Sequence, residues 1–177
     1  RMNYKKTYTL LLAGTFVWCG GIILPSLLRC FFGETFAEIL VKNFYAPVCH
    51  QNPSRSFIFL GTPIAVCIRC ASVYFSFLCG VVIWNIVQRN ATLAQYFTSI
   101  FSFPRVFIFL LPMLMDVGAR FFGFYDDGFS LFTTRIISGA LFGSSFAFAL
   151  LPVFFSACEE LFPHQFFIKN SYDVQTK

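Results

Sequence analysis

Charged side chains are scarce in this 177-residue chain, where Asp, Glu, Lys and Arg together make up 12% of the residues and hydrophobic residues make up 57%. Soluble globular domains carry about 25% charged residues, so this composition excludes that class. Histidine is scarcer still, with only His50 and His164. Two distant histidines argue against a haem held by a histidine pair within the spans. No Ser-His-acid set and no glycine-rich phosphate loop is evident either.

A concentrated basic patch is also missing. The net charge is +5, and the Lys and Arg residues are scattered along the loops rather than clustered. We therefore expect them to anchor the chain at the edges of a membrane, and we expect no nucleic-acid partner.

Long apolar runs are what the sequence has in abundance. About 20 apolar residues in a helix cross the roughly 30 Å of bilayer hydrocarbon. The first run is too long for the apolar core of a signal peptide and lacks an A-x-A-like cleavage site. We predict an all-α membrane protein in the lipid bilayer, a single domain over residues 1–177, with spans at about 7–28, 67–87, 98–117 and 129–155 and a polar tail at 158–177.

Four spans place both termini on the same side of the membrane. Lys and Arg are more frequent on the terminal side than on the other, and the positive-inside rule then favours cytoplasmic termini. We expect a bacterial inner (cytoplasmic) membrane as the location. Between the first two spans, residues 36–45 have apolar positions at helical spacing, which predicts a helix lying along the membrane interface.

Soft metal ligands gather in the stretch from Val48 to Cys70. Two of them are adjacent, and a C-x-x-C pair follows 18 residues after the first. Residues 56–66 have the pattern of a short β-hairpin with Gly61-Thr62-Pro63 as its turn. Because a hairpin brings its two ends together, thiolates and an imidazole should meet, and zinc is the expected metal. The predicted ligands are Cys49, His50, Cys67 and Cys70.

Other uses of these cysteines stay open. Adjacent side chains point in different directions, so Cys49 and His50 share one metal only if the backbone bends, which Asn52-Pro53 permits. Without His50, three thiolates leave an open coordination position, as in catalytic metal sites. In an oxidising compartment Cys67 and Cys70 can instead form a redox disulfide. The thiols can also be simple packing residues.

A second set of polar residues is expected near the same membrane face. A charged group within a span costs about 3 kcal/mol on insertion scales and normally faces a partner inside the protein. We expect Asp116, the candidate catalytic acid, to pair with Arg135 or Arg69. The residues predicted to surround the metal or to form buried charge are Gln51, Arg55, Arg69, Asp116, Arg120 and Arg135.

The fourth span contains a G-x-x-x-G pattern. Gly139 and Gly143 lie one helical turn apart beside Ser138 and Ser144. Small residues at this spacing let two membrane helices approach closely, so the pattern predicts a packing seam.

These motifs carry a family resemblance. The pattern Cys49-His-Gln-x-Pro-x-Arg-Ser-Phe57, then Gly61, then Val66-Cys-x-Arg-Cys70 with Tyr74 resembles the DUF2085 family of small predicted membrane proteins. Asp116, the Arg135-x-x-Ser-Gly139 pattern, Gly143 and Pro152 fit it too, so the likeness covers about Val48 to Pro152. Members of that family tend to have Thr-Gly directly after the second cysteine of the C-x-x-C pair, where this chain has Ala71-Ser72. The resemblance implies a membrane topology and a Cys/His site and implies no particular activity.

Three functions are compatible with these features. The favoured one is an accessory or structural subunit of a larger membrane complex, in which a metal braces an exposed loop against other subunits. The second is a metal-dependent membrane enzyme acting on a lipid or quinone-like substrate, with Asp116 handling a proton. The third is a thiol-disulfide oxidoreductase that exchanges electrons between Cys67-x-x-Cys70 and a membrane quinone.

Overall fold

The computed structural model describes residues 4–101, 103–122 and 129–161. Residues 123–128, between the third and fourth predicted spans, and the part of the predicted polar tail beyond residue 161 lie outside this part of the chain. The described elements are α1 (Tyr4–Phe32), α2 (Phe36–Tyr45), a short 3-10 helix (Pro53–Arg55), β1 (Ile58–Phe59), β2 (Thr62–Pro63), α3 (Ile68–Val87), α4 (Ala91–Ile100), α5 (Phe103–Phe121) and α6 (Phe129–Leu161).

The apolar runs form membrane-length helices. Three helices are long and apolar enough to cross a bilayer, over Lys5–Phe32, Ile68–Val87 and Phe132–Cys158. A fourth crossing exists if Thr92–Ile100 and Arg105–Gly118 are counted as one span, although the two pieces meet at 51°. The span predicted at 98–117 is therefore divided between α4 and α5. Pro104 lies at the start of α5 and has no N–H to continue a hydrogen-bond ladder from α4.

α3 and α6 form the central pair of the bundle. They run parallel, because Gly139 meets the N-terminal turn of α3 and Gly143 meets Val73 one turn further along. A Cβ atom at Gly139 would lie 2.8 Å from the Arg69 carbonyl oxygen, and one at Gly143 would overlap the Val73 carbonyl. Glycine at both positions therefore lets the two backbones touch. We call these contacts the helix seam.

α1 supports the loop that links it to α3. Pro25 lies inside α1, and the helix cannot form its regular hydrogen bond there. Next to this break, the Ala65 N–H donates a hydrogen bond of 2.9 Å to the Ile22 carbonyl. The Ser26 hydroxyl also donates to the Thr62 carbonyl at 3.4 Å. The loop is thus held along the C-terminal half of α1.

The predicted hairpin is present, with a different turn. Ile58 pairs with Pro63 and Phe59 pairs with Thr62 in an antiparallel two-stranded ladder. The turn residues are Leu60 and Gly61, with φ of 51° and 77°, where we predicted 61–63. Two successive positive φ angles are characteristic of a type I′ turn, whose twist matches that of the flanking strands.

Candidate metal centre

Three cysteine thiols converge at the N-terminal end of α3. The Sγ atoms of Cys49, Cys67 and Cys70 all lie within 4.8 Å of one another. The Sγ atoms of Cys67 and Cys70 are 3.4 Å apart, too far for a disulfide bond, whose sulfurs are about 2.05 Å apart. We call these three residues the thiol cluster.

The local backbone positions each thiol. Cys49 follows the end of α2, where its N–H donates to the Tyr45 carbonyl at 3.1 Å. Cys67 is the N-cap residue of α3. Cys70 lies three residues later in the first turn, so its side chain is on the same side of the helix as that of Cys67. The hairpin thus joins the first cysteine to the other two, as the sequence predicts.

Backbone amides point at the Cys49 sulfur. The Cys67 N–H donates to it at 3.0 Å and the Gln51 N–H donates at 3.5 Å. The Cys49 sulfur is thus an acceptor for two backbone donors and has a fixed position beside the other two thiols.

His50 is exposed and does not belong to the group of converging ligand atoms. The chain does bend next to it, since Gln51 has a φ of 52°, one residue before the bend that we expected at Asn52-Pro53. The Gln51 side chain turns toward α2 and donates a 2.5 Å hydrogen bond to the Lys42 carbonyl. His50 as a fourth ligand stays a prediction.

An apolar shell surrounds the thiol cluster. Cys49 is buried in a core with Ile22, Tyr45, Ile64, Ala65, Val66 and Ala71, and Cys67 and Cys70 pack against it. Tyr45 satisfies its hydroxyl by donating 2.7 Å to the Trp18 carbonyl, and burial raises the pKa of this phenol. The phenol occupies the space where a side chain at residue 21 would lie, so Gly21 is required there. Shielding from water strengthens the attraction between thiolates and a bound cation.

The expected buried charges lie on the neighbouring helices. Arg69 and Asp116 form an ion pair between α3 and α5, with side chains 19% and 10% exposed. The Thr134 hydroxyl donates to Asp116 at 3.5 Å. Arg135 is buried. Among the described residues, Asp116 does not join the thiol cluster, and the side chain of Arg120 is not described.

Arg55 is the last residue of the 3-10 helix, and its Nε is buried without a hydrogen-bond partner among the described residues. Glu38, which the prediction did not include, is buried on α2. Lys42 contacts it at 2.6 Å and Arg29 at 3.5 Å. The spacing of Glu38 and Lys42, four residues apart, is the signal that could have found this pair.

The arrangement suits a tetrahedral thiophilic ion. Zinc binds thiolates at about 2.3 Å, which places two sulfurs of a tetrahedral site about 3.8 Å apart. The three Sγ atoms already lie within 4.8 Å of one another, so small side-chain rotations suffice. Thiolate ligands favour zinc over magnesium or calcium.

Fold and site together define a helical membrane protein with a cluster of three cysteines next to one of its spans. The sequence profile of the DUF2085 family, described as a predicted membrane protein, matches residues 49–149. That range holds the three cysteines of the thiol cluster, Asp116 and both glycines of the G-x-x-x-G pattern. The chain belongs to this family.

A relative is similar to the chain over a longer range. The uncharacterized protein MJ1492 of Methanocaldococcus jannaschii is 30% identical over 159 residues, which are 85% of this chain and 94% of the relative. No solved structure matches the chain.

Proposed function

We propose that the thiol cluster binds zinc and that the metal braces the loop between α1 and α3, so that the protein serves as an accessory or structural subunit of a larger membrane complex. The observation that carries the proposal is the convergence of three thiols within 4.8 Å from two distant parts of the sequence. One metal ion bound there would join the end of α2 to the start of α3.

Three thiols favour a metal over a disulfide. A disulfide needs only Cys67 and Cys70 and leaves Cys49 without a role. In the described geometry Cys49 is buried between them and the apolar core, and its sulfur accepts two amide hydrogen bonds. A cation would balance the charge of several thiolates in this shielded place. The fourth coordination position would be filled by His50 or by water.

A structural role is favoured over a catalytic one by the engagement of Asp116. This carboxylate is in an ion pair with Arg69 and accepts a hydrogen bond from Thr134. A proton-transferring acid next to a catalytic metal needs access to the metal-bound group, and Asp116 is not among the converging ligand groups.

The hairpin supports docking to another subunit. Its tip presents Ile58, Phe59 and Leu60, all exposed. An apolar tip held in one conformation by a nearby metal is suited to fill a pocket in a partner.

Elemental analysis of the purified protein tests the metal. We expect one zinc per chain, lost in Cys49→Ser, Cys67→Ser and Cys70→Ser. Cys79→Ser is the matched control, because Cys79 is on the same helix as Cys70 and is exposed. Stoichiometric zinc in all three cluster variants would overturn the site.

For the subunit role, native electrophoresis of mildly solubilised membranes should show a complex that Ile58→Asp disrupts, and migration as a single chain would contradict that role.

A second function is favoured by the position of the C-x-x-C pair. Cys67 is at the N-cap position of α3, and its sulfur is 3.4 Å from that of Cys70. Helix N-termini favour thiolates. In this reading the two thiols would form a disulfide and pass two electrons and two protons to a membrane quinone, which becomes a quinol. Counting alkylated thiols by mass spectrometry distinguishes the two functions. Thiols in a disulfide become available for alkylation only after a reductant is added, whereas metal-bound thiols become available with a chelator alone.

A further inference from the structure

The helix α2 has an unusual distribution of polarity. The residues that face the rest of the protein are Glu38, Val41, Lys42 and Tyr45. Glu38 is 4% exposed, although it is charged. In a protein surrounded by water, charged side chains face outward and apolar ones face the core.

The outward side of α2 is mostly apolar instead, with Asn43 as its exposed polar residue. Phe36 is 76% exposed, Ile39 56%, Leu40 55% and Phe44 61%. These positions follow the three- and four-residue spacing of one helical face. An exposed apolar surface of this kind normally contacts something other than water.

The charges of α2 are neutralised on its inner side. Lys42 contacts Glu38 at 2.6 Å, and Arg29 of α1 contacts the same carboxylate at 3.5 Å. Because Glu38 and Lys42 are paired within the protein, neither charge requires contact with water on the outer side of α2.

The covering medium is indicated by continuity with α1. That helix is a membrane-length span, and its last residues, Phe31 and Phe32, are both exposed. Only residues 33–35 separate it from α2. These residues include the exposed Glu34, which pairs with Arg29. The exposed apolar surface of the span therefore resumes on α2 after a short polar segment.

We propose that the outer face of α2, formed by Phe36, Ile39, Leu40 and Phe44, is embedded in bilayer lipid, so that α2 lies in the membrane interface as an in-plane helix. Helices of this type bury one apolar face at the boundary between headgroups and acyl chains. This inference does not depend on metal binding. The position of α2 also affects the thiol cluster, because the Gln51 side chain in the cysteine loop donates a hydrogen bond to the Lys42 carbonyl of α2.

Photolabelling of the wild-type protein from within lipid tests the proposal. The protein is reconstituted into phosphatidylcholine vesicles that contain a phosphatidylcholine with a diazirine on its acyl chain, and adducts are mapped by mass spectrometry. We expect adducts on Ile39 and Leu40 at yields within about threefold of those on the exposed α1 residues Phe16 and Val17. Val41, which packs against the core, is the internal control and should remain unlabelled.

Two outcomes would overturn the proposal. In the first, α1 is labelled and α2 is not, while a water-soluble carbene reagent labels Ile39 and Leu40, which would place the face in water. In the second, neither reagent labels α2, which would mean that another protein chain covers it. Leu40→Glu provides a further check, since it should reduce lipid adducts across α2 while leaving zinc content unchanged.

Discussion

The thiol cluster and the helix seam hold α3 in two different ways. At its N-terminal end, α3 is joined to the rest of the chain by sulfur atoms, amide hydrogen bonds and the ion pair from Arg69 to Asp116. Along its length it is joined to α6 by apolar packing, such as the ring contact of Phe77 with Phe146. The two helices approach most closely at the glycines, where a side chain at Gly139 or Gly143 would meet the backbone of α3. The first region thus depends on specific polar and sulfur contacts, and the second depends on close packing.

The difference follows from the surroundings of each region. Within the hydrocarbon, lipid is as apolar as a leucine side chain, so helices gain little by burying apolar surface and associate through close packing. Near the membrane boundary, water competes for polar groups, and an irregular loop must satisfy its own backbone. Stronger and more directional contacts are needed there.

The largest effect should come from removing a thiol. If zinc braces the loop, Cys67→Ser should release it, since structural zinc sites contribute on the order of 10 kcal/mol in small domains. Amide hydrogen exchange of residues 46–67 should become much faster. Cys79→Ser should leave exchange at its wild-type rate. Equally slow exchange in Cys67→Ser and Cys79→Ser would contradict this account, because the loop would then be held without its sulfur atoms.

Asp116→Asn should have the next largest effect. It leaves the Arg69 guanidinium without its charged partner, and breaking a buried pair costs about 3–5 kcal/mol. The lower end applies because the two side chains are 19% and 10% exposed. Unfolding in a denaturing-detergent titration measures the loss. The double variant Arg69→Met with Asp116→Leu should recover most of it, and a double variant as unstable as the single one would contradict this account.

Gly143→Val tests the seam without touching the thiol cluster. The added carbons would overlap the Val73 carbonyl, and overpacking of this kind costs about 1–3 kcal/mol. The same unfolding titration provides the measurement, and zinc content should be unchanged. Gly14→Val is the matched control, because a Cβ there meets nothing within 4 Å. Equal stability of the two variants would mean that α3 and α6 are not in close contact.

Tyr45→Phe should have the smallest effect. It removes the 2.7 Å hydrogen bond to the Trp18 carbonyl and keeps the ring, so we expect a loss of about 1 kcal/mol. The Tyr96→Phe control alters an exposed ring and should be neutral. A neutral Tyr45→Phe would show that this hydrogen bond does not help to attach α2 to α1.

Several elements were predictable because their signal is local. The first span and α3 follow from uninterrupted apolar runs, and α2 occupies the predicted range, 36–45, because its apolar positions recur at helical spacing. The turn of the hairpin was predicted to start one residue too late, at Gly61, since Leu60 adopts a φ of 51° that leucine rarely has. The third span was predicted as one helix, whereas the chain bends by 51° between α4 and α5.

The candidate site was predictable in part. Hairpin closure brings Cys49 to Cys67 and Cys70, and this follows from the sequence pattern. The outward position of His50 does not, because it depends on a positive φ at Gln51 and on where the Gln51 side chain finds an acceptor. Likewise, the sequence allowed Asp116 to pair with either Arg69 or Arg135, and the described ion pair is with Arg69.

By itself, the sequence determined that this chain lies in a membrane, that it is helical and that its soft ligands share one loop, because hydropathy and spacing are properties of neighbouring residues. Only the tertiary structure decided which thiols meet, which arginine holds the acid and which face of α2 is left apolar. Those outcomes depend on distances between atoms far apart in the chain, which packing fixes and local pattern does not.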